Sequence, residues 1–282
     1  LCLQIAQRAG AEIVGADSVQ LYRGLRIGSA QPTPDQLARA PHHLVDSLDP
    51  ARAINAAAYA ALADQTVRDI AGRGRRVLVT GGTGLYLKAL LYGLAPAPSA
   101  DPQLRGELEE CWQTQGPDFL HGQLAELDQA TARRLHPNDR QRVLRALEVC
   151  LLSGRPMSRP LEEHAFQEAR YPHLYIVLFR EREELNARIA QRAELMWEQG
   201  LLEEVRGLLD DGLSESNKAL ATLGYRQALA RLKGEMSRED AVADTIKTTK
   251  AYAKRQMTWF RSVPGVKWFQ AGDTEGAWRA AA

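Results

Sequence analysis

Cysteine is scarce in this chain: Cys2, Cys111 and Cys150 are odd in number, far apart and without a C-x-x-C pair. That excludes a disulfide framework and a cysteine-ligated zinc site, and makes a reducing cytoplasm the expected compartment. No apolar run reaches the ~18 residues that a membrane-spanning helix needs, and no signal-peptide pattern is visible, so the chain is expected to be neither membrane-embedded nor secreted. An excess of charge of one sign is missing too. Lys and Arg number 36 against 35 Asp and Glu, a net charge of +1, so a nucleic-acid partner would have to be held by a local basic patch and not by the field of the whole molecule. There is no G-x-x-x-x-G-K-[ST] phosphate loop and no G-x-G-x-x-G fingerprint. Internal repeats are absent, and low complexity is confined to Ala95-Pro-Ala-Pro-Ser-Ala-Asp-Pro102. His42, His43 and His136 have no companions at metal-ligand spacing, so a zinc centre is not expected.

What the chain does have is apolar content: 282 residues, 45% hydrophobic and 25% charged, enough for one large domain or two modest ones at ~100–200 residues each. Leu1 to Arg8 carries helical periodicity and Gly10 stops it. Because Leu1 already lies inside that pattern, a segment upstream is expected. Glu12-Ile-Val-Gly-Ala16 is a short apolar run that delivers Asp17-Ser18 to its end, as a buried parallel strand does. A helix over 55–71 follows, then a second buried strand, Arg76-Val-Leu-Val-Thr80, running into Gly81-Gly-Thr-Gly84. Strand alternating with helix predicts an α/β fold with a mostly parallel sheet and a ligand site beyond the carboxyl ends of its strands. From Leu94 to Pro172 the periodicity is helical without a convincing strand, which predicts an all-helical insertion over 94–172 between core segments 1–93 and 173–282. Leu174-Tyr-Ile-Val-Leu-Phe179 is a β run expected to rejoin the sheet. The stretch 181–261 is helical with breaks at Gly200, Gly212 and Gly224, and 266–269 is a last short strand.

Four features could carry chemistry, and each has an ordinary structural reading beside it. The Gly81–Gly84 turn, with one hydroxyl from Thr83, either exposes amides to an anion or is a tight strand-to-helix turn. Asp17 is either a base at the mouth of a cleft or a turn carboxylate that accepts local N–H groups. Arg188 and Arg192 stand at i, i+4, where two guanidinium forks can grip a diphosphate or pair with neighbouring glutamates. Two stretches are locally basic: Arg133, Arg134, Arg140, Arg142 and Arg145 with Asp139 as the one acid between them, and Lys247, Lys250, Lys254, Arg255 and Arg261 with no acid. In the second stretch Lys247, Lys250, Lys254 and Arg261 form a cationic stripe on one side, while Ile246, Ala253, Met257 and Phe260 line much of the other, with Tyr252 and Trp259 interleaved. Such a stripe suits phosphate contact and base stacking, or is a solvated helix face.

Several segments in order carry a more specific pattern: Gly15-Ala-Asp-Ser-Val-Gln20 with Tyr22-Arg-Gly24, Ile27-Gly-Ser-Ala-Gln-Pro32, Pro41-His-His-Leu-Val-Asp46, Gly81-Gly-Thr-Gly-Leu-Tyr86, His136-Pro-Asn-Asp139 with Gln141-Arg142 and Arg145-Ala-Leu-Glu148, Leu223-Gly-Tyr-Arg-Gln227, and Lys254-Arg-Gln-Met-Thr-Trp-Phe-Arg261. Together they resemble the tRNA dimethylallyltransferase family over essentially the whole chain. The resemblance implies a P-loop kinase-like parallel sheet flanked by helices, with the helical insertion, a monomeric cytoplasmic enzyme and Mg²⁺ as cofactor. It implies transfer of a dimethylallyl group from dimethylallyl diphosphate to N6 of an adenosine beside the tRNA anticodon, position 37. Asp17 matches the family's catalytic aspartate and Thr83 its Gly-Gly-Thr threonine. Arg192, with Arg188 beside it, matches the diphosphate site. The tRNA-contact segments match Asp17, Ser18, Val19 and Gln20, then Gln141, Arg142, Val143, Leu144 and Arg145, then Ala221, Thr222, Leu223, Gly224, Tyr225 and Arg226, then Lys254, Arg255, Gln256, Met257, Thr258, Trp259, Phe260 and Arg261. Thr83 and Arg105 add further contacts.

Members of that family carry a Gly-rich loop ending in Gly-Lys-Ser or Gly-Lys-Thr before their first helix. The present sequence starts after that point, so the metal-ligating hydroxyl is expected upstream of Leu1 and no metal ligand is identified within the chain. Three other readings remain at this level. An adenylate isopentenyltransferase would use a free nucleotide, a small-molecule kinase would use ATP, and a binding-only protein would hold tRNA without transferring anything.

Overall fold

The computed structural model describes residues 1–164 and 168–281. These divide into two compact units, one made of Leu1–Leu91 with Arg170–Ala282 and the other of Tyr92–Ala169.

The first unit begins with helix α1 (Cys2–Ala9), ended by Gly10 in the left-handed region at φ 59°. Strand β1 (Ala11–Gly15) follows, and all five of its residues are buried. Helix α2 (Pro34–Arg39) was not legible in the apolar pattern because it buries no residue. It is set instead by a capping box, in which Thr33 accepts from the Gln36 amide and the Gln36 side chain returns to the Thr33 amide. Strand β2 (His42–His43) is two residues long. Helix α3 (Ala56–Gly72) starts at Asn55, whose side chain accepts from Ala58 N at 2.9 Å, and buries Tyr59, Ala63, Val67 and Ile70 on one stripe. Strand β3 (Arg76–Thr80) then runs through the turn at 81–83 into helix α4 (Gly84–Tyr92).

β1 lies between β2 and β3 and pairs with both in parallel, with Ile13 opposite His42 and Gly15 opposite Thr80. One correction concerns β4 (Ile176–Phe179), expected to rejoin this sheet. It pairs in parallel with β5 (Lys267–Gln270) as a separate two-stranded sheet. The two sheets share side-chain packing and not a ladder: Val14, Val77, Val79 and Val177 belong to one apolar cluster with Tyr59, Tyr86, Leu90 and Phe260.

The second unit holds helices α5 (Pro102–Gln115), α6 (Pro117–Leu127), α7 (Gln129–Arg134), α8 (Arg140–Ser153) and α9 (Ser158–His164), and no strand among its described residues. Leu120, Leu124, Leu144 and Leu147 are almost fully buried at its centre. Asp128 ties α7 to α9: its carboxylate accepts from Thr131 N, Thr131 Oγ1 and Ser158 N. Burial alone would raise its pKa, but these donors hold it below the usual carboxylate value.

Helices α10 (Arg182–Glu198), α11 (Leu201–Asp210), α12 (Tyr225–Leu232) and α13 (Arg238–Arg261) return to the first unit, which closes with α14 (Thr274–Ala281). They build a second core around Tyr22, Leu25, Trp197, Leu201, Leu220 and Tyr225. Among the described residues no helix is long and apolar enough to cross a membrane.

Candidate functional site

Two adjacent parallel strands end side by side, and the loops leaving them are stitched together. Ala16 N donates to Thr80 O at 2.7 Å, and Thr83 N donates back to Ala16 O at 3.1 Å. Gly81 permits this closeness, since a Cβ there would fall 2.2 Å from the Ala16 carbonyl oxygen. Asp17 and Thr83, 66 positions apart in sequence, are thereby brought to one place.

Thr83 Oγ1 accepts from Ser18 N at 3.0 Å and donates to Ser18 Oγ at 3.3 Å. The two carboxylate oxygens of Asp17 differ. Oδ1 accepts from Val19 N at 2.8 Å and Gln20 N at 3.1 Å, which orders the turn. Oδ2 has no hydrogen bond among the described residues, and the side chain is half-buried. The segment beyond is braced by two amides: Gln20 Nε2 donates to Ser29 O and Ala30 O, and Gln31 Nε2 donates to Gln20 O and Tyr22 O.

The negative charge of Asp17 is felt by three side chains from three helices. On α4, burial and then the nearby Tyr22 and Asp17 push the Tyr86 phenol up to about 12. On α13, burial and Asp17 push the Tyr252 phenol up, with Gln256 and Thr83 as hydrogen-bonding neighbours opposing the shift. On α10, crowding around the Arg192 guanidinium lowers its pKa, and the Asp17 carboxylate followed by Tyr225 acts in the opposite direction. Arg192 still has much of its surface exposed, and neither it nor Arg188 makes an ion pair among the described residues. Asp17 and Thr83 are thus neighbours through Ser18, and Arg192 lies within electrostatic reach of the Asp17 carboxylate. Arg188 lies one helical turn from Arg192, exposed.

The two basic stretches differ. In the helical unit, Arg105 and Arg140 both pair with Glu109, Arg142 pairs with Asp139, and Arg145 is held by Glu148 at 2.6 Å and the Pro98 carbonyl at 2.7 Å. Three of these pairs are local, at i, i+3 or i+4, and the Arg140–Glu109 pair joins α8 to α5. On α13, Lys247, Lys250, Lys254, Arg255 and Arg261 are all exposed and none forms an ion pair among the described residues. Arg255 lies over the Tyr252 ring, 5.7 Å from its centroid.

Five of the residues matched to tRNA contacts are buried. Val143 and Leu144 are fully covered in the helical core, Tyr225 in the second core, Gly224 lies at the buried start of α12, and Phe260 is packed in the first. Their apolar surface is spent on packing, whereas Gln141, Arg142, Ala221 and Arg226 in the same segments are exposed. Tyr225 instead donates to Glu204 Oε1 at 2.7 Å, and Glu204 accepts from the amides of Arg26, Ile27 and Gly28. Burial first, then that carboxylate, pushes the Tyr225 phenol well up. Trp259 is partly buried against the first core and abuts Gly84. His43 Nε2 and a bidentate Arg73 both bind the buried Glu12. A groove of about 1000 Å³ lined by Ile27, Trp197, Leu202 and Glu204 among others contains neither Asp17 nor Thr83, so volume does not mark this site.

The comparisons with known proteins bear on the family of the chain. The IPP transferase family matches residues 20–263. A tRNA dimethylallyltransferase of Geobacter sulfurreducens is 45% identical over 270 residues, covering 96% of this chain and 87% of its own length. One of Myxococcus xanthus is 47% identical over 265 residues, 94% of this chain and 86% of its own. Among solved structures, the tRNA delta(2)-isopentenylpyrophosphate transferase of Staphylococcus epidermidis aligns over 99% of this chain and 91% of its own, at a TM-score of 0.70 and 33% identity. A eukaryotic dimethylallyltransferase described as acting on tRNA aligns over 100% of this chain and 74% of its own, with a TM-score of 0.82 and 25% identity. The chain belongs to the tRNA dimethylallyltransferase family, a family of prenyltransferases with a P-loop-like α/β fold.

Proposed function

We propose that this protein transfers a dimethylallyl group from dimethylallyl diphosphate to N6 of the adenosine at position 37, beside the tRNA anticodon, in the cytoplasm and as a monomer. The observation that carries the reading is the site around Asp17: one oxygen orders the turn, the other is left without a hydrogen bond, Thr83 is joined to it through Ser18, and Arg192 lies within its electrostatic reach.

Each part of the reaction has a matching group. The N6 lone pair is delocalised into the purine ring, so the amine is a weak nucleophile. It gains from a carboxylate that takes its proton as the N–C bond forms, the role of Asp17 Oδ2. As that bond forms, the allylic C–O bond breaks and the diphosphate leaves with the bonding pair. Arg192 and Arg188 stabilise the charge it gains. Thr83, fixed by Ser18, orients the reacting centre.

Mg²⁺ belongs to the proposal as counter-charge for the diphosphate. Among the described residues no three His, Cys, Asp or Glu side chains gather to hold a metal. The described side chains therefore form no complete cation site.

The target base has to leave its stack to reach the carboxylate, so the RNA is gripped on either side of it. The unpaired cations of α13 supply one grip. In the helical unit, Gln141, Arg105 and Arg142 offer further contacts, the two arginines by exchanging solvent-accessible ion pairs with Glu109 and Asp139 for phosphates, and Arg145 contributes while held by the buried Glu148. Incubation with labelled dimethylallyl diphosphate and either tRNA or AMP tests the reading. Label is expected in tRNA alone; label in AMP, or in neither acceptor, contradicts it.

A further inference from the structure

Helix α13 faces two ways. Its outer face carries Lys247, Lys250, Lys254 and Arg261, with Arg255 at the border over the Tyr252 ring, and its inner face sets Tyr252, Gln256 and Trp259, at i, i+4 and i+7, against the turn that carries Thr83. Gln256 Nε2 donates to Gly82 O at 2.9 Å. A Cβ on Gly82 would fall 2.3 Å from that same Nε2, and one on Gly84 would fall 2.1 Å from Trp259 Nε1. The glycines flanking Thr83 are therefore filled by side chains of α13, which answers the question their sequence left open. The turn is shaped to receive a helix.

From this contact we propose that Gln256 is a positioning residue, whose amide fixes the Gly82 carbonyl and so holds Thr83 in register with Asp17 when RNA engages the opposite face of α13. The inference rests on the prenyl-transfer reading. Sequence matching places Gln256 among residues that touch tRNA, whereas the observed hydrogen bond turns its amide toward Gly82, on the side opposite Lys254. The chain of contacts is short and continuous: α13 to Gly82 through Gln256, Gly82 to Thr83 through one peptide, and Thr83 to Ser18 beside Asp17 through its hydroxyl. The neighbouring Tyr252 hydroxyl, in hydrogen-bonding contact with Gln256 and Thr83, limits the same turn from the side. A turn loosened by a few tenths of an ångström misplaces the reacting groups while leaving the cationic face unchanged, so the loss falls on turnover and not on affinity.

The test is steady-state prenyl transfer and tRNA binding with the full chain, comparing Gln256→Ala, Gln256→Met, Thr83→Ala and the Gln256→Ala/Thr83→Ala double variant. Gln256→Ala is expected to lower kcat by about tenfold or more, with the tRNA Kd within about twofold of the parent. Gln256→Met fills the same space without the donor and is expected to behave like Gln256→Ala, which separates loss of the hydrogen bond from loss of packing. Because Gln256 acts through Thr83, the double variant is expected to be no slower than Thr83→Ala alone. A rise in Kd with kcat unchanged makes Gln256 an RNA contact and overturns the proposal, as do additive kcat losses. If Gln256→Ala does not fold, the Met variant carries the comparison, and full activity in it overturns the proposal. A parent chain that transfers no prenyl group overturns the functional reading itself, whereas an active parent with an unaffected Gln256 series overturns the positioning role alone.

Discussion

Thr83 Oγ1 accepts the Ser18 amide at 3.0 Å, and this one hydroxyl joins the loop after β3 to the loop after β1. Neither loop alone makes a site. Joined, they put a carboxylate with an unbonded oxygen beside a hydroxyl at the carboxyl edge of a parallel sheet, where α/β folds present ligands.

That join has a measurable strength. Thr83→Ala removes the bonds to Ser18 N and Oγ, and is expected to cost about 1 kcal/mol of stability while lowering kcat about 10- to 100-fold through misplacement of the reacting groups. Thr83→Ser keeps the hydroxyl and is expected to retain most of the rate. Urea unfolding and turnover, measured on both variants, check the pair of effects; equal losses in Thr83→Ser and Thr83→Ala would remove the hydroxyl from the account.

Gly81 sets how closely the two strand ends approach. Gly81→Ala drives a Cβ to 2.2 Å from the backbone oxygen of Ala16, which has no flexible end to give way. The expected cost is about 3 kcal/mol, seen as a lowered urea midpoint. An unchanged midpoint would show that the strand ends are not held as described.

Much of this arrangement was legible in the sequence because its signals are local. The apolar run before Asp17, the run 76–80 and the glycines after it define β1, β3 and the turn between strand and helix, and Asn55 marks the start of α3. What the sequence hid was mostly non-local. Glu109 on α5 neutralises Arg140 on α8, a pairing that depends on which helices pack together. Tyr225 is held inside by Glu204, a partner 21 positions away. β4 looked like another strand of the main sheet, because an apolar run says that a strand is buried but not against which edge. Gln256 lies between Arg255 and Met257 with nothing in its own surroundings to say that its amide caps Gly82. The glycines at 82 and 84 were the available signal, since each marks a place that another group approaches closely.

Acid stability should depend on Glu12. Its carboxylate is buried and held by Arg73, through bonds of 2.6 and 2.9 Å, and by His43 at 2.7 Å, so hydrogen bonding to Arg73 lowers its pKa to about 2 in spite of burial. The folded-state pKa lies below the unfolded value of about 4.3. The stabilisation is therefore fully present above the unfolded value and is lost as pH falls toward 2. Glu12→Gln is expected to cost about 2 kcal/mol at neutral pH, allowing for the half-exposed Arg73, and to flatten the acid limb of the stability profile. Unfolding midpoints between pH 7 and pH 3 check this; parallel profiles for parent and variant would contradict it.

RNA binding should be salt-dependent through α13. Lys254→Ala and Arg255→Ala are each expected to weaken tRNA binding and to reduce the slope of log K against log salt by about 1. Filter binding or fluorescence titration across a salt series measures the slope, and an unchanged slope would take this helix out of the RNA interface.

The central claim concerns the second oxygen of Asp17, and it is tested most directly by kcat and tRNA Kd for Asp17→Ala and Asp17→Asn. Asp17→Asn keeps the turn-forming acceptor and removes the basic oxygen. The account predicts a kcat loss of about 10²- to 10⁴-fold in both variants, with Kd nearly unchanged in Asp17→Asn. Full turnover in Asp17→Asn, or a Kd that rises in step with the lost rate, would contradict it.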